Sequence, residues 1–305
     1  MAQFEFIQVV KRGAVLDCWL NRPQVRNALS TAVEDEWDDV LELAAGDDSI
    51  KVVTLQGRGP VFSAGADMKE FAATFEDAAP SGEPDESGAV EITERPRRRH
   101  GASKRLWPPP AMHEPSLPRS WYFHKTLIAG VHGFVGPYAQ RLLAPFDFVI
   151  AAEGTRFSWE QARMGSQNHP LAIYSFQLPM RVIKQLLLMG SWFDADTAHQ
   201  LSLVQRVVSL DELPGEVARW AESASGLTLE TIAAYKEGIH RMYEIMGLHG
   251  MIGIGNNVNA HAAGSRGGDF HGTLRDSGMA AALKRRNDGV DPTVTQITVG
   301  GGSDE

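Results

Sequence analysis

The sequence predicts an α/β fold, and three observations carry that prediction. Short β-branched apolar runs recur at Val52–Leu55, Thr126–Val131 and Asp147–Ala151, each too short for a buried helix. Stretches with helical apolar spacing lie between and after them. From Lys51 to Phe71, KVVTLQGRGPVFSAGADMKEF, one such run passes through small residues into a helix start. With 305 residues, 43% of them hydrophobic, the chain is large enough for one substantial core with an appendage.

In order, Phe4–Val10 and Ala14–Leu20 are predicted strands joined at Lys11-Arg12-Gly13. Ser30 is placed to cap a helix from Thr31 to about Ala45. Its face Val33, Trp37, Val40, Leu41, Ala44 has helical spacing, and its first turns are acidic. Trp37 and the single cysteine, Cys18, are expected in the core. After the run at Val52, Gly57, Gly59 and Pro60 break the strand. Asp67 is expected to cap a helix from near Met68, with Glu70 completing a capping box. Beyond Val208 the spacing turns helical at Leu213–Ala224 and Leu229–Met246, with a last helix near Met279–Arg286. The end, Val290–Glu305, is expected to be unstructured.

The bend Ser63–Ala66 carries the chemistry. The first amides of a helix have no internal acceptor and sit at the positive end of its dipole. With only small side chains at Ala64, Gly65 and Ala66, a ligand oxygen can approach the main chain, as an oxyanion hole requires. An ordinary strand-to-helix turn has the same sequence features.

The wording FSAGADMKEF at Phe62–Phe71 resembles the crotonase (enoyl-CoA hydratase/isomerase) family. So do, in the family's order, LNRPQVRNALS at Leu20–Ser30, Lys125–Gly165 and LLLMGSWFDADTAHQLSLVQRVV at Leu186–Val208. The resemblance implies a ββα spiral core over residues 1–208 and a carboxy-terminal helical oligomerisation region over 209–290, followed by a 291–305 tail. It also implies a homotrimer or a dimer of trimers. The expected substrate is an acyl-CoA or related carbonyl compound, with coenzyme A arriving as part of the substrate and no separate cofactor. Ala66 would then be the first oxyanion donor, flanked by Ala64, Gly65, Asp67 and Met68. Arg26 matches a position near the coenzyme A phosphates, although an exposed arginine before a helix also serves as a solvated side chain.

Three departures from the family stand out. Residues from about 76 to 120 form an insertion holding half of the sixteen prolines, acidic first and then basic, which suits a loop or a lid. In His132-Gly133-Phe134-Val135-Gly136-Pro137-Tyr138, a gapless count puts Tyr138 where the family has its second donor glycine. The same count puts Arg141 and Gln161 where family hydratases carry their two glutamates. Neither moves a proton near neutral pH. Candidate replacements are Glu160, next to Gln161, and His169, which falls where related dehalogenases have a nucleophilic aspartate. His132, Tyr138 and Arg141 are expected around the same cavity, with Arg141 holding a substrate carboxylate or pairing with Glu160.

A net charge of −9 argues against a nucleic-acid surface. Nothing in the histidine spacing indicates a metal site, and Gly253-Ile254-Gly255 falls short of a dinucleotide fingerprint. No signal or membrane-spanning pattern is evident, so a cytoplasmic location is expected. The leading reading is an enoyl-CoA hydratase/isomerase with rearranged acid–base residues. The alternatives are hydrolysis of a carbon–carbon bond in a β-diketone and a catalytically silent acyl-CoA-binding subunit.

Overall fold

A computed structural model of the chain describes residues 4–70, 118–164, 171–252 and 270–299. Among the described residues nine strands form two sheets. The larger has the order β1 (Ile7–Arg12), β2 (Val15–Leu20), β3 (Val52–Gly57), β4 (Thr126–Val131), β6 (Phe148–Ala152) and β9 (Arg206–Val208). Among the described pairs of this sheet only β1 and β2 are antiparallel, turning at Gly13, whose φ of +60° a side chain would strain. Pairing runs on to Arg12 opposite Val15, so β1 ends later than Lys11-Arg12-Gly13 suggested. The smaller sheet orders β5 (Phe134–Val135), β7 (Arg156–Ser158) and β8 (Trp192–Asp194).

A repeating unit explains the two sheets. Strand β3 passes to Ser63, which bridges Val135, and then to helical backbone from Met68. Likewise β4 passes to β5 and then to helix α2 (Pro137–Leu143), and β6 to β7 and then to a 3-10 turn at Glu160–Met164. Each turn gives one strand to the large sheet, one short extended piece to the small layer, and a helix start. The short pieces lie side by side: Ser63 N–H donates to the Phe134 carbonyl at 3.2 Å, and Arg156 N–H to that of Gly133 at 2.9 Å. Successive helix starts are therefore neighbours.

Helix α1 (Thr31–Ala45) begins as expected, with the Ser30 hydroxyl accepting from Val33 N–H, and it buries Val33, Trp37, Val40, Leu41 and Ala44. Trp37 Nε1 donates to Ser120 Oγ at 3.1 Å, which satisfies the polar edge of a core indole. Cys18 is fully buried, and burial pushes its thiol pKa up, as an inert core residue requires. The other end of α1 is closed by Lys125, whose buried ammonium donates to the carbonyls of Ala44 at 2.6 Å and Asp47 at 2.8 Å. The opposite face of the large sheet is covered by α6 (Leu213–Ser225). There Leu213, Val217 and Ala221 pack on Val52, Ile128 and Ile150.

Between these layers run α3 (Leu171–Gln177), α4 (Met180–Met189) and α5 (Ala195–Gln200). Helix α7 (Leu229–Ile245) is capped by Thr228. The last long helix, α8 (Phe270–Asn287), starts well before Met279 and is kinked at Gly278, whose φ is +81°. The end of the chain departs from expectation. Asp291 caps a short α9 (Pro292–Thr295), Gln296 bridges Trp192, and Ile297 is buried, donating its N–H to the Trp192 carbonyl at 2.8 Å. An apolar Ile297 next to an open strand edge at β8 supplies the driving force that a low-complexity reading of the tail overlooked. The proline-rich segment expected as an insertion falls, up to residue 117, outside the described residues.

Candidate functional site

The first helix start is held in place by residues 22–30. Asn27 Nδ2 donates to the carbonyls of Arg58 at 2.8 Å and Val61 at 3.0 Å. The buried Ser63 hydroxyl donates to the Asn27 carbonyl at 2.7 Å and accepts from Gly65 N–H at 3.1 Å. Ala64 N–H donates to the Arg26 carbonyl at 2.8 Å, and Asp67 N–H to that of Leu29 at 2.9 Å. The amides of residues 63, 64, 65 and 67 are thus all used. That of Ala66 has no acceptor among the described residues. Gly65 sits at φ +98°, which turns the chain at that point.

The capping box forms differently from its expected geometry. Asp67 Oδ1 accepts from Lys69 N–H at 3.2 Å, while its other oxygen pairs with Arg22 Nη1 at 3.1 Å. Glu70 turns away to the start of α1, accepting from Thr31 N–H at 3.0 Å and from the Thr31 hydroxyl. A neighbouring helix start with its own orphan amides competes for that carboxylate.

The second helix start abuts the first. Gly136 N–H donates to the Ser63 carbonyl at 2.8 Å. A Cβ on Gly136 would lie 2.1 Å from the Ala64 oxygen and 2.7 Å from the Gly65 nitrogen, so glycine is what permits the approach. A Cβ on Gly65 would in turn meet the Tyr138 nitrogen at 3.2 Å. Pro137 fills the first position of α2, leaving Tyr138 as the first residue of the helix with an N–H. The bend at Ala66 and the turn at Tyr138 are therefore packed main chain to main chain.

Side chains around the second turn form a charged cluster. Arg141 Nη1 lies 3.0 Å from Glu34 Oε1 and 3.1 Å from Tyr138 Oη, with its guanidinium over the Tyr138 ring at 5.6 Å. Arg141 pairs with Glu34 and not with Glu160, because one turn of α2 points it back toward α1. Burial raises the Glu34 pKa, Arg141 and Tyr138 oppose that rise, and Glu70 and Asp35 add to it. Asp38, one turn further along α1, lies 3.6 Å from Arg119 Nη1. Burial pushes its pKa to about 7 against the pull of Arg119, with Glu34 and Asp35 adding to the rise.

Glu160 opens the 3-10 turn, with one oxygen 2.7 Å from Arg156 Nη2 and the other 3.2 Å from Arg286 Nη2. Both oxygens of this carboxylate are thus engaged by guanidinium groups. Gln161 is the next residue of that turn, and His169 lies outside the described residues. His132 is buried in the turn after β4, its Nε2–H donating to the Gly59 carbonyl at 2.8 Å, so it locks two loops together. Met68 is half-buried against Met164 and Phe270. Arg26 is exposed at φ +55°, its carbonyl holding the Ala64 amide. Tyr174 belongs to the core, with its hydroxyl 3.2 Å from Gln140 Oε1.

Glu34, Asp38, Arg119 and Asn27 were not singled out from the sequence. The two acids carried a signal, since both sit in an acidic first half of α1, but helix-dipole preference accounts for acids there equally well. Among the described residues no group of three His, Cys, Asp or Glu side chains converges to hold a metal ion. No described helix is long and apolar enough to cross a membrane.

A spiral of strand–strand–helix turns with abutting helix starts defines the crotonase class of fold. An enoyl-CoA hydratase/isomerase from Xanthobacter autotrophicus Py2 superimposes with a TM-score of 0.74 at 23% identity, covering 93% of this chain and 98% of that one. The profile of the family described as Enoyl-CoA hydratase/isomerase matches residues 11–96. The 2,3-dehydroadipyl-CoA hydratase of Escherichia coli K12 is 31% identical over 212 residues, covering 67% of this chain and 69% of its own. The mevalonyl-coenzyme A hydratase sidH of Aspergillus fumigatus is 26% identical over 233 residues, covering 74% of each. This chain belongs to the enoyl-CoA hydratase/isomerase family.

Proposed function

We propose that this protein hydrates or isomerises a 2-enoyl thioester of coenzyme A, holding the developing enolate oxygen on the amides of Ala66 and Tyr138. The observation that carries the reading is the main-chain contact of the two helix starts, with the Ala66 amide lacking an acceptor among the described residues. Attack at the β-carbon of an enoyl thioester moves negative charge onto the carbonyl oxygen. Pre-aligned amides stabilise that charge, and loss of one such donor typically slows the reaction by ~10²–10³. The names of the relatives favour a thioester over a β-diketone and over a silent binding subunit.

Calorimetry with butyryl-CoA and a hydration assay with crotonyl-CoA test this reading. Saturable binding of the thioester together with turnover is the expected result. Absence of both would overturn it, and binding without turnover would return the silent subunit.

A further inference from the structure

We propose that Glu34, delivered by α1 to the head of Arg141 beside Tyr138, is the carboxylate that moves the proton between water and the substrate's α-carbon. The proposal rests on the enoyl-thioester reading and adds its acid–base group.

Three features of the geometry converge on this residue. First, α1 starts against the oxyanion bend: Leu29 bridges Ala66, accepts from Asp67 N–H at 2.9 Å and donates to Gly65 at 2.8 Å. Glu34 lies on the opening turns of that same helix. Second, its oxygen meets Arg141 at 3.0 Å, and the same guanidinium nitrogen meets the Tyr138 hydroxyl at 3.1 Å. The carboxylate thus reaches α2, the helix whose first N–H is that of Tyr138. Third, the Glu34 side chain remains 28% exposed while Arg141 is 12% exposed, so the side chain is only partly covered. Glu160 lies at a different helix start, with its two oxygens on Arg156 and Arg286.

The electrostatics suit the task. The groups around Glu34 are Arg141 and Tyr138 from α2, Asp35 and Asp38 from α1, Glu70 from beyond the bend, and Arg119 beside Asp38. Burial, Glu70 and Asp35 favour a proton on Glu34, while Arg141 and Tyr138 favour the ionised form. A general base works best with a pKa drawn toward the operating pH.

In the proposed step, ionised Glu34 takes a proton from water as the water oxygen bonds to the β-carbon. The C=C electron pair moves to the α-carbon and onto the carbonyl oxygen as the enolate. Protonated Glu34 then returns its proton to the α-carbon, the carbonyl re-forms, and the carboxylate is regenerated. Water and the enoyl thioester are the only reactants.

The test compares wild type, Glu34→Gln and Glu34→Asp for crotonyl-CoA hydration across the pH range, with butyryl-CoA affinity and melting temperature measured alongside. The expected result is a fall in kcat of about 10²–10⁴ for E34Q, the range for a lost general base. Affinity should stay within about threefold, the limb of the pH profile due to Glu34 should vanish, and E34D should recover part of the rate. If E34Q fails to fold, E34D decides, because a shortened carboxylate must then lower kcat more than it raises KM. Turnover within about threefold of wild type with an unchanged pH profile would overturn the proposal and leave the enoyl-thioester reading standing. A wild type that binds the thioester without turnover returns the silent subunit and removes both. A wild type that does neither removes both.

Discussion

Gly136 is the residue at which the candidate site is most sharply constrained. Its α-carbon faces the Ala64 carbonyl so closely that any Cβ collides with backbone, which cannot rotate aside as a side chain can. Gly136→Ala is expected to push the two helix starts apart, lowering kcat by about 10²–10³ through loss of one aligned donor. Overpacking should cost a further ~1–3 kcal/mol of stability. Steady-state kinetics and thermal melting check both effects. Asp38 gives a second prediction, on pH. Its folded pKa is raised from 3.8 to about 7, so the folded state binds this proton more tightly than the unfolded chain does. The stability it contributes is complete below pH 3.8 and is lost as pH rises through about 7. Asp38→Asn should therefore flatten the decline of stability from about pH 4 to about pH 8. Denaturant melts at several pH values would show it, and parallel curves for the two proteins would count against a buried, proton-retaining Asp38. Neither residue stood out in the sequence as it does in the fold. Gly136 was one glycine of a turn, and its partner Ala64 lies 72 positions earlier in the chain. Asp38 was one acid among several on α1.

At the scale of elements the sequence was far more legible, because helix and strand periods are local properties. The α1 face and its Ser30 cap, β4, and the start of helical backbone at Met68 all lie where apolar spacing and capping chemistry put them. Where the reading went astray, the deciding partner was distant. Glu70 serves Thr31 of another helix, and the tail is ordered by Trp192. The same holds for the seat of α7. Lys236 Nζ reaches Asp147 Oδ2 at 2.7 Å and the Lys125 carbonyl at 2.9 Å, and that Asp147 oxygen also accepts from Leu127 N–H at 2.7 Å. One largely buried ion pair therefore ties α7 to the starts of β4 and β6. Lys236→Met should cost about 3 kcal/mol by leaving the Asp147 carboxylate uncompensated, and Asp147→Asn in the same chain should return part of that loss. Additive losses in a denaturant cycle of the two substitutions would mean that the pair is not coupled.

For the whole molecule, the other side of α7 is the feature in need of explanation. Ile232 and Lys236 face inward, while Tyr235, Ile239, Met242 and Met246 follow one another at spacings of three and four along the exposed side, joined by Ile245, which is 86% exposed. A helix with a polar inner anchor and a continuous apolar outer stripe cannot lower its free energy further within the described part of one chain. Association of copies buries such a stripe, and the family resemblance makes a trimer or a dimer of trimers the expected assembly. On this proposal the carboxy-terminal helices are the oligomerisation region, and the oligomer shields α7. Sedimentation of the wild type should give a trimer or hexamer. Ile239→Glu with Met242→Glu should shift it toward monomer, because two carboxylates cannot be buried unpaired in an apolar seam without a cost of several kcal/mol. Circular dichroism of that variant should keep the helical content of the wild type, since both positions are solvent-facing in the single chain. A wild type that sediments as a monomer at assay concentrations, or a double variant that remains trimeric, would move the interface off α7.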